Sequence, residues 1–278
     1  MAWTIDHVPY ACRDLEATAA AFERIGLEPT YGGAHDNGAT HMSVIGFDDL
    51  TYVELIAEHT PGDHDYWPTH IRADAGPADW CVRVDDLVST CRRMLEAGIA
   101  VDGPSSGARE RADGTLVEWD IAWFGAGSRR CELPFAIEDR TPLERRVPPE
   151  QRAGGGTLTG LDAVVVAVAD LDRSVRWFRE TLRHPTPDRS AVPGFGDVAV
   201  FPGRALTLVE GSTSSWLAER LDRVGPGPCS CLIGTDDLGD AAAAVDLREP
   251  VAWPGGRVAF VDSDVIGDRL GVVERSSR

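Results

Sequence analysis

The sequence predicts an α+β fold made of four strand–helix–strand–strand–strand units, paired into two domains. Three observations carry this. An Asp-Leu pair follows an apolar run four times, at Asp14-Leu15, Asp86-Leu87, Asp170-Leu171 and Asp237-Leu238. Each pair opens a stretch with the apolar spacing of a helix and is followed by segments with the alternation of strands. A Pro-, Gly- and charge-rich stretch, DRTPLERRVPPEQRAGGG, separates the second copy from the third. A small sheet with one helix cannot bury its other face alone, so the copies are expected to cover one another. The boundaries follow as a domain over 1–139, a linker over 140–156 and a second domain over 157–278.

Each element has a local cause. The alternation of Trp80, Val82 and Val84 suits a half-buried strand. The aspartate of each pair is a natural N-cap, its carboxylate accepting from free N–H groups of the first turn. Leu15, Ala19, Phe22 and Ile25 recur at helical spacing, and Gly26 stands where a left-handed stop is expected. Leu171, Val175, Phe178 and Leu182 repeat that pattern, whereas the fourth helix is mostly alanine with Gly239 in its first turn. After the first helix, THMSVIG and TYVELIAE read as a hairpin around FDDL. After the second, Asp113-Gly114 turns into TLVEWDIAWFG, where Val117, Trp119, Ile121 and Trp123 alternate with Glu118, Asp120 and Ala122. RRCELPFAIE reads as the last strand of that unit, and EHTPGDHDYWPTH as a connecting loop. GDVAVFPG with RALTLVEG, and GRVAFVDS with RLGVVER, close the third and fourth units.

The chain has 278 residues, compatible with two domains. Its net charge is −18, and all 27 basic residues are arginine. So acidic a chain is a poor partner for nucleic acid or an anionic membrane, which both need a positive face. No apolar run is long enough to span a bilayer, and no secretory leader is read at the start; a cytoplasmic protein is expected, either monomer or homodimer. The acidity fits an ordinary acidic cytosolic protein or, more pointedly, adaptation to high salt. The six cysteines (12, 81, 91, 131, 229 and 231) form no disulfide or zinc pattern and read as reduced thiols. Six of the seven histidines, His7, His35, His41, His59, His64 and His70, lie in the first quarter or so of the chain, leaving His184 alone in the second half. Chemistry is therefore expected in the first domain.

Four such units in two pairs resemble the vicinal oxygen chelate (VOC) superfamily, which includes glyoxalase I, extradiol dioxygenases, epimerases and fosfomycin or bleomycin resistance proteins. The stretches IDHVPYACRDL, GGAHDNGATHMSV, YVELIAE, RERADGTLVEWDIA and ELPFAIED resemble its glyoxalase-like branch and span most of residues 5–139. The resemblance implies a cleft between paired units, with a divalent metal held by residues of the first and last strands of each unit. Carried over by position, it implies His7 and Glu54 from the first unit and Asp79 and Glu132 from the second. Asp79 stands ahead of Asp85 by the spacing that separates His7 from Arg13; a frame slip would put Trp80 there instead. Imidazole and carboxylates suit Zn, Ni, Mn, Fe or Co. Glu54, an acid inside an apolar strand, is costly unless paired, and Tyr52, Glu54 and Ile56 share one face.

Gly32, Gly33 and Gly38 allow a tight loop around His35 and His41. The resemblance lays this segment over the cleft, so that His35 binds substrate or acts as acid or base, with His41 a second substrate contact; a surface-turn histidine is the competing reading. Glu54 and Glu132 are the candidate proton shuttles. In the second half Ala163 and Ser230 occupy the places of His7 and Asp79, leaving Glu210 and Glu274 as isolated acids, so no metal is expected there. The expectation is a metal-dependent enzyme of lyase, isomerase or dioxygenase type acting on a small oxygen-rich substrate. The alternative is a small-molecule binding protein of the bleomycin-resistance kind. If the acidic surface is a high-salt adaptation, the melting temperature rises between low-salt buffer and molar KCl, as screening relieves self-repulsion; an unchanged value in calorimetry rejects that origin.

Overall fold

The computed structural model describes residues 3–35, 38–60, 67–111, 113–125, 132–147, 153, 156–211 and 215–274; His64 and Cys131 lie outside the described residues. The first unit is β1 (Thr4–Ala11), α1 (Leu15–Arg24), β2 (Thr30–Ala34), β3 (Thr40–Gly46) and β4 (Tyr52–Glu58). A short helix α2 (Trp67–Arg72) and strand β5 (Gly76–Pro77) lead to the second unit. That unit is β6 (Cys81–Arg83), α3 (Leu87–Glu96), β7 (Val101–Glu110), β8 (Leu116–Phe124) and β9 (Phe135–Asp139). The third is β10 (Leu158–Val168), α4 (Leu171–Leu182), β11 (Asp188–Val192), β12 (Gly196–Val200) and β13 (Leu206–Glu210). Helix α5 (Ser215–Val224) then precedes β14 (Gly227–Thr235), α6 (Leu238–Ala244), β15 (Val251–Trp253), β16 (Gly256–Phe260) and β17 (Leu270–Glu274).

The four aspartates cap their helices as the sequence predicts. Asp14 accepts from the Ala17 amide, Asp86 from Ser89, Asp170 from Arg173, and Asp237 from Gly239 and Asp240. The leucine after each cap is buried. Strands order as β2-β3-β4-β1-β6-β9-β8-β7 in one sheet, with β5 added on β1, and as β11-β12-β13-β10-β14-β17-β16-β15 in the other. In each sheet two units meet through an antiparallel central pair, β1/β6 or β10/β14, while each unit's first and last strands run parallel.

Two segments differ from the sequence reading. The stretch read as a loop before the second unit ends in α2, because Ile71 packs with Ala11, Ile56 and Ala78 and draws it onto the sheet. Within 140–156, Leu143–Arg145 form a 3₁₀ turn, and Arg146 and Val147 are buried, Val147 among Met42, Val44 and Tyr52.

One hydrophobic core runs through both halves. It includes Phe22, Trp80 and Met94 of the first half and Phe178, Leu206, Ile233 and Val272 of the second, with residues from all four unit helices. Polar links cross the same boundary. The Leu161 amide donates to Thr51 Oγ1 at 2.7 Å, and the Ala153 amide to the Gly46 carbonyl at 2.7 Å.

His184 sits at this boundary, ringed by Trp3, Phe178 and Phe201 at centroid distances of 5.5, 5.4 and 5.1 Å. Neither ring nitrogen has a hydrogen-bond partner among the described residues. Burial, then the charge of Arg204, pulls its pKa down to about 4 from 6.5. The folded state therefore refuses a proton that the unfolded state accepts, so this contribution to stability is full above 6.5 and declines as pH falls toward 4. Denaturant titrations at several pH values are expected to show this decline in the wild type and its loss in His184→Phe.

Candidate active site

Three side chains meet in the cleft of the first sheet, and each is placed by a local cause. His7 lies on β1 and Glu54 on the parallel neighbour β4, where Pro9 pairs with Glu54 and His7 with Tyr52. The Tyr52 ring stacks on the His7 imidazole, with centroids 4.6 Å apart and planes 13° from parallel. His35 follows β2, and its Nδ1 lies 2.7 Å from Thr40 Oγ1 at the start of β3. Glu54 Oε2 is 3.4 Å from His7 Nε2, and Glu54 Oε1 is 3.3 Å from His35 Nε2. Burial alone would raise the Glu54 carboxyl, but the hydrogen bond and charge of His35, with the charges of His7 and Arg109, outweigh it and hold the group below its ordinary 4.5.

Behind His7 stands a buried ionic network. His7 Nδ1 is 2.7 Å from Asp6 Oδ1. Arg146 clamps the same carboxylate with Nη1 to Oδ1 at 2.7 Å and Nη2 to Oδ2 at 2.8 Å, and Arg83 Nε donates to Oδ2 at 2.8 Å. Arg146 also holds Asp139 through Nε and Nη2 at 2.7 and 2.9 Å, and donates to the Tyr52 hydroxyl at 2.9 Å. Burial would raise the Asp6 carboxyl, yet the charge and hydrogen bonds of Arg146, helped by His7, hold it well below the usual carboxylate range. Asp6 is thus an acceptor only, and His7 must give it the Nδ1 proton. Nε2 is thereby turned toward Glu54, and at 3.4 Å the nitrogen and Oε2 can hold either a proton or a metal cation between them.

The chemistry of the donors decides which clusters suit a metal. Asp6, His7 and Cys81 have donor atoms within 4.8 Å of one another. There, however, the Asp6 oxygens are taken by two guanidinium groups and an imidazole, and burial holds the Cys81 thiol well above its usual range. A cation would meet two arginines. His7 Nε2, His35 Nε2 and Glu54 instead offer two imidazoles and a carboxylate on the open side, each imidazole fixed through its other nitrogen, as metal-binding histidines are.

The structure does not bring Asp79 and Glu132 to this cleft. Asp79 is buried, and its Oδ1 accepts from the Trp80 amide at 2.8 Å. Glu132 precedes β9, which begins only at Phe135, and faces a groove beside Asp170, Arg173 and Trp177 of the second half. For Glu132, register gives the reason. Pro9 pairs with Glu54 and Cys81 with Phe135, and Pro9 and Cys81 stand equally far before Asp14 and Asp86. The position matching Glu54 is therefore Phe135. His41 lies on β3 but turns to Tyr31 and His59, with centroids at 6.1 and 5.1 Å, while Thr40 lines the cleft.

The cleft has a volume of about 240 Å³. Trp119, Ile121, Trp123, Phe135, Met42 and Ile56 form its apolar wall, and Arg109 and Arg146 add positive charge. Sequence reasoning did not single out Asp6, Arg109 or Arg146. The first precedes the conspicuous His7, and Arg146 sits in a stretch with linker composition. By the same register, Ala163 and Thr207 in the third unit, and Ser230 and Gly271 in the fourth, occupy the places of His7 and Glu54. Glu210 instead accepts from the Leu171 amide at 3.0 Å, and Glu274 pairs with Arg257.

A family model described as a glyoxalase-like domain matches residues 5–182, more than half of the chain. No curated protein matches. A hypothetical protein from Staphylococcus aureus superposes with a TM-score of 0.65 at 11% identity, over 96% of this chain and 98% of that one. A triple mutant of 4-hydroxymandelate synthase from Streptomyces coelicolor gives 0.62 at 14%, over 99% and 93%. The 2,2',3-trihydroxybiphenyl 1,2-dioxygenase of Sphingomonas wittichii gives 0.53 at 13%, over 98% and 90%. At these identities the likeness is one of fold.

Removing Arg146 leaves the buried Asp6 and the half-buried Asp139 with one charge partner fewer. Arg146→Met is expected to cost about 3–5 kcal/mol in urea denaturation. Arg83→Met, whose side chain is 24% exposed, is expected to cost about 1 kcal/mol or less. Equal losses in the two variants reject a central role for Arg146.

Proposed function

Because this chain belongs to the glyoxalase-like domain family of the VOC superfamily, we propose that it is a metal-dependent VOC enzyme acting on a small oxygen-bearing substrate in the first-half cleft. The observation that carries this is the buried, ionised Glu54 facing the Nε2 atoms of His7 and His35 at 3.4 and 3.3 Å, with each imidazole's Nδ1 already engaged. His7, His35 and Glu54 would hold the metal. When bound, a divalent metal supplies Lewis acidity toward substrate oxygens and stabilises the negative charge that develops on them.

The chain's own residues do the rest. Asp6 keeps the His7 proton on Nδ1 and its lone pair on Nε2. Arg146 keeps Asp6 ionised, and the Tyr52 ring fixes the plane of the imidazole. The Thr40 hydroxyl fixes the orientation of the His35 ring through its Nδ1. Glu54, with an oxygen toward each histidine, is placed to take a proton from bound substrate and return it, the exchange an isomerase or lyase of this family needs. The aromatic wall keeps bulk water from the reacting atoms.

Metal content decides the matter. After reconstitution with Mn, Fe(II), Co, Ni or Zn, the wild type is expected to hold about one equivalent by mass spectrometry, and Glu54→Ala and His35→Ala to hold none. Asp6→Asn is expected to bind about 10–100-fold more weakly, since it releases His7 without removing a ligand. A wild type that takes up none of these metals overturns the reading and leaves the cleft a small-molecule binding pocket.

A further inference from the structure

We infer that the cleft selects organic carboxylates, with Arg109 receiving the carboxylate and the wall of Trp119, Trp123 and Phe135 holding a flat apolar body. This rests on the cleft being the substrate site and adds what enters it.

Arg109 lies on the edge strand β7, whose neighbouring residues are largely exposed, yet it is itself only 4% exposed. Its Nη1 donates to the Gly32 carbonyl at 2.8 Å and its Nη2 to the Arg146 carbonyl at 3.2 Å. Both acceptors are neutral. Among the described residues no carboxylate lies within ion-pair distance of it, because those nearby are committed elsewhere. Asp6 and Asp139 belong to Arg146 and Arg83, and Glu54 belongs to His7 and His35. A buried guanidinium with no carboxylate in contact is an expensive arrangement: burial draws its pKa below the ordinary arginine range, and the more distant charge of Glu54 offsets this only in part. An anion from outside the chain would remove that cost.

The planar fork of arginine matches a carboxylate in two-point contact, and two carbonyls leave N–H groups of the fork uncommitted. The remaining walls narrow the class. A compact inorganic anion would leave Met42, Ile56, Ile121 and the aromatic side chains unmatched, whereas a small aromatic or similarly flat acid fills about 240 Å³ and covers them. Gly107 shapes this wall, since a Cβ there would stand 2.6 Å from the indole nitrogen of Trp119, and its absence lets the indole lie across β7.

The test pairs two probes of one shape and different charge, benzoate and benzamide, titrated into the 278-residue protein with tryptophan fluorescence or calorimetry as the readout. The wild type is expected to bind benzoate about ten- to hundredfold more tightly than benzamide, the span of a charge-assisted contact. Arg109→Gln keeps a donor for the Gly32 carbonyl and is expected to lose the preference by weakening benzoate alone. Arg109→Lys keeps the charge and is expected to retain part of it. A merely structural clasp between β7 and β2 would move both probes together. Equal affinities in the wild type, no saturable benzoate binding by about 10 mM, or a preference that survives in Arg109→Gln overturns the inference. Should Arg109→Gln fail to fold, the wild-type ratio and Arg109→Lys decide it. Repeating the titrations on chelator-treated protein separates this from the metal reading: a preference that persists there stands even where no metal binds.

Discussion

A carboxylate with no exposed surface has to find its charge partners inside the protein, and Asp6 finds three: Arg146, Arg83 and His7. The two arginines come from distant parts of the chain, and their meeting at Asp6 fixes β1 against β6 and against the segment that follows β9. Burying such a network gains little net stability, because desolvation offsets most of the attraction, but losing one member leaves an uncompensated charge. Its value here lies in what it specifies. The β1–β6 ladder slips register between Ile5 and His7, so two consecutive residues can meet through their side chains despite the alternation of a strand. That irregularity sets the imidazole's tautomer, and the tautomer gives Glu54 something to face.

Much of this fold was legible because its signals are local. An aspartate that caps the first turn and a leucine that starts the buried face need only neighbours in sequence, and all four copies behave alike. Glu54 stood out as an acid inside an apolar run, and His7 through the position that the family resemblance gives it on the first strand. Glu132 did not resolve, because its assignment depended on where β9 begins, and strand ends depend on tertiary pairing. The contact of His35 with Glu54 depends on how β2 and β3 carry their connecting loop, which no periodicity encodes. Arg146 was hidden by composition. A stretch rich in Pro, Arg and Glu reads as a solvated connection unless the buried acids waiting for its guanidinium are known.

The two halves show what the same frame does with and without charge in its concave face. In the second half, small residues replace the site: Ala163, Thr207, Ser230 and Gly271. Thr207 Oγ1 and Ser230 Oγ make no hydrogen bond among the described residues, a cost that hydroxyls bear more easily than carboxylates or imidazoles would. Phe195, Trp253 and Phe260 then fill the space, with Phe195 stacked on Phe260 at 4.9 Å and Leu217 of α5 buried beside them. A concave sheet face must be filled by side chains or by ligand, and this half is filled by its own.

That asymmetry bears on why the chain keeps both halves. The first half concentrates buried charge, including Asp6, Glu54, Arg109 and Arg146, in one cleft, and each of these groups is an added demand on a marginal fold. The second half holds an uncharged, mostly apolar cluster on its concave side and shares the main core with the first through Phe178, Leu206 and Val272. Because that core is common to both halves, opening the first sheet would expose apolar side chains of the second as well. The second half, whose matching positions carry no charge, therefore contributes apolar packing to the sheet that holds the charged cleft.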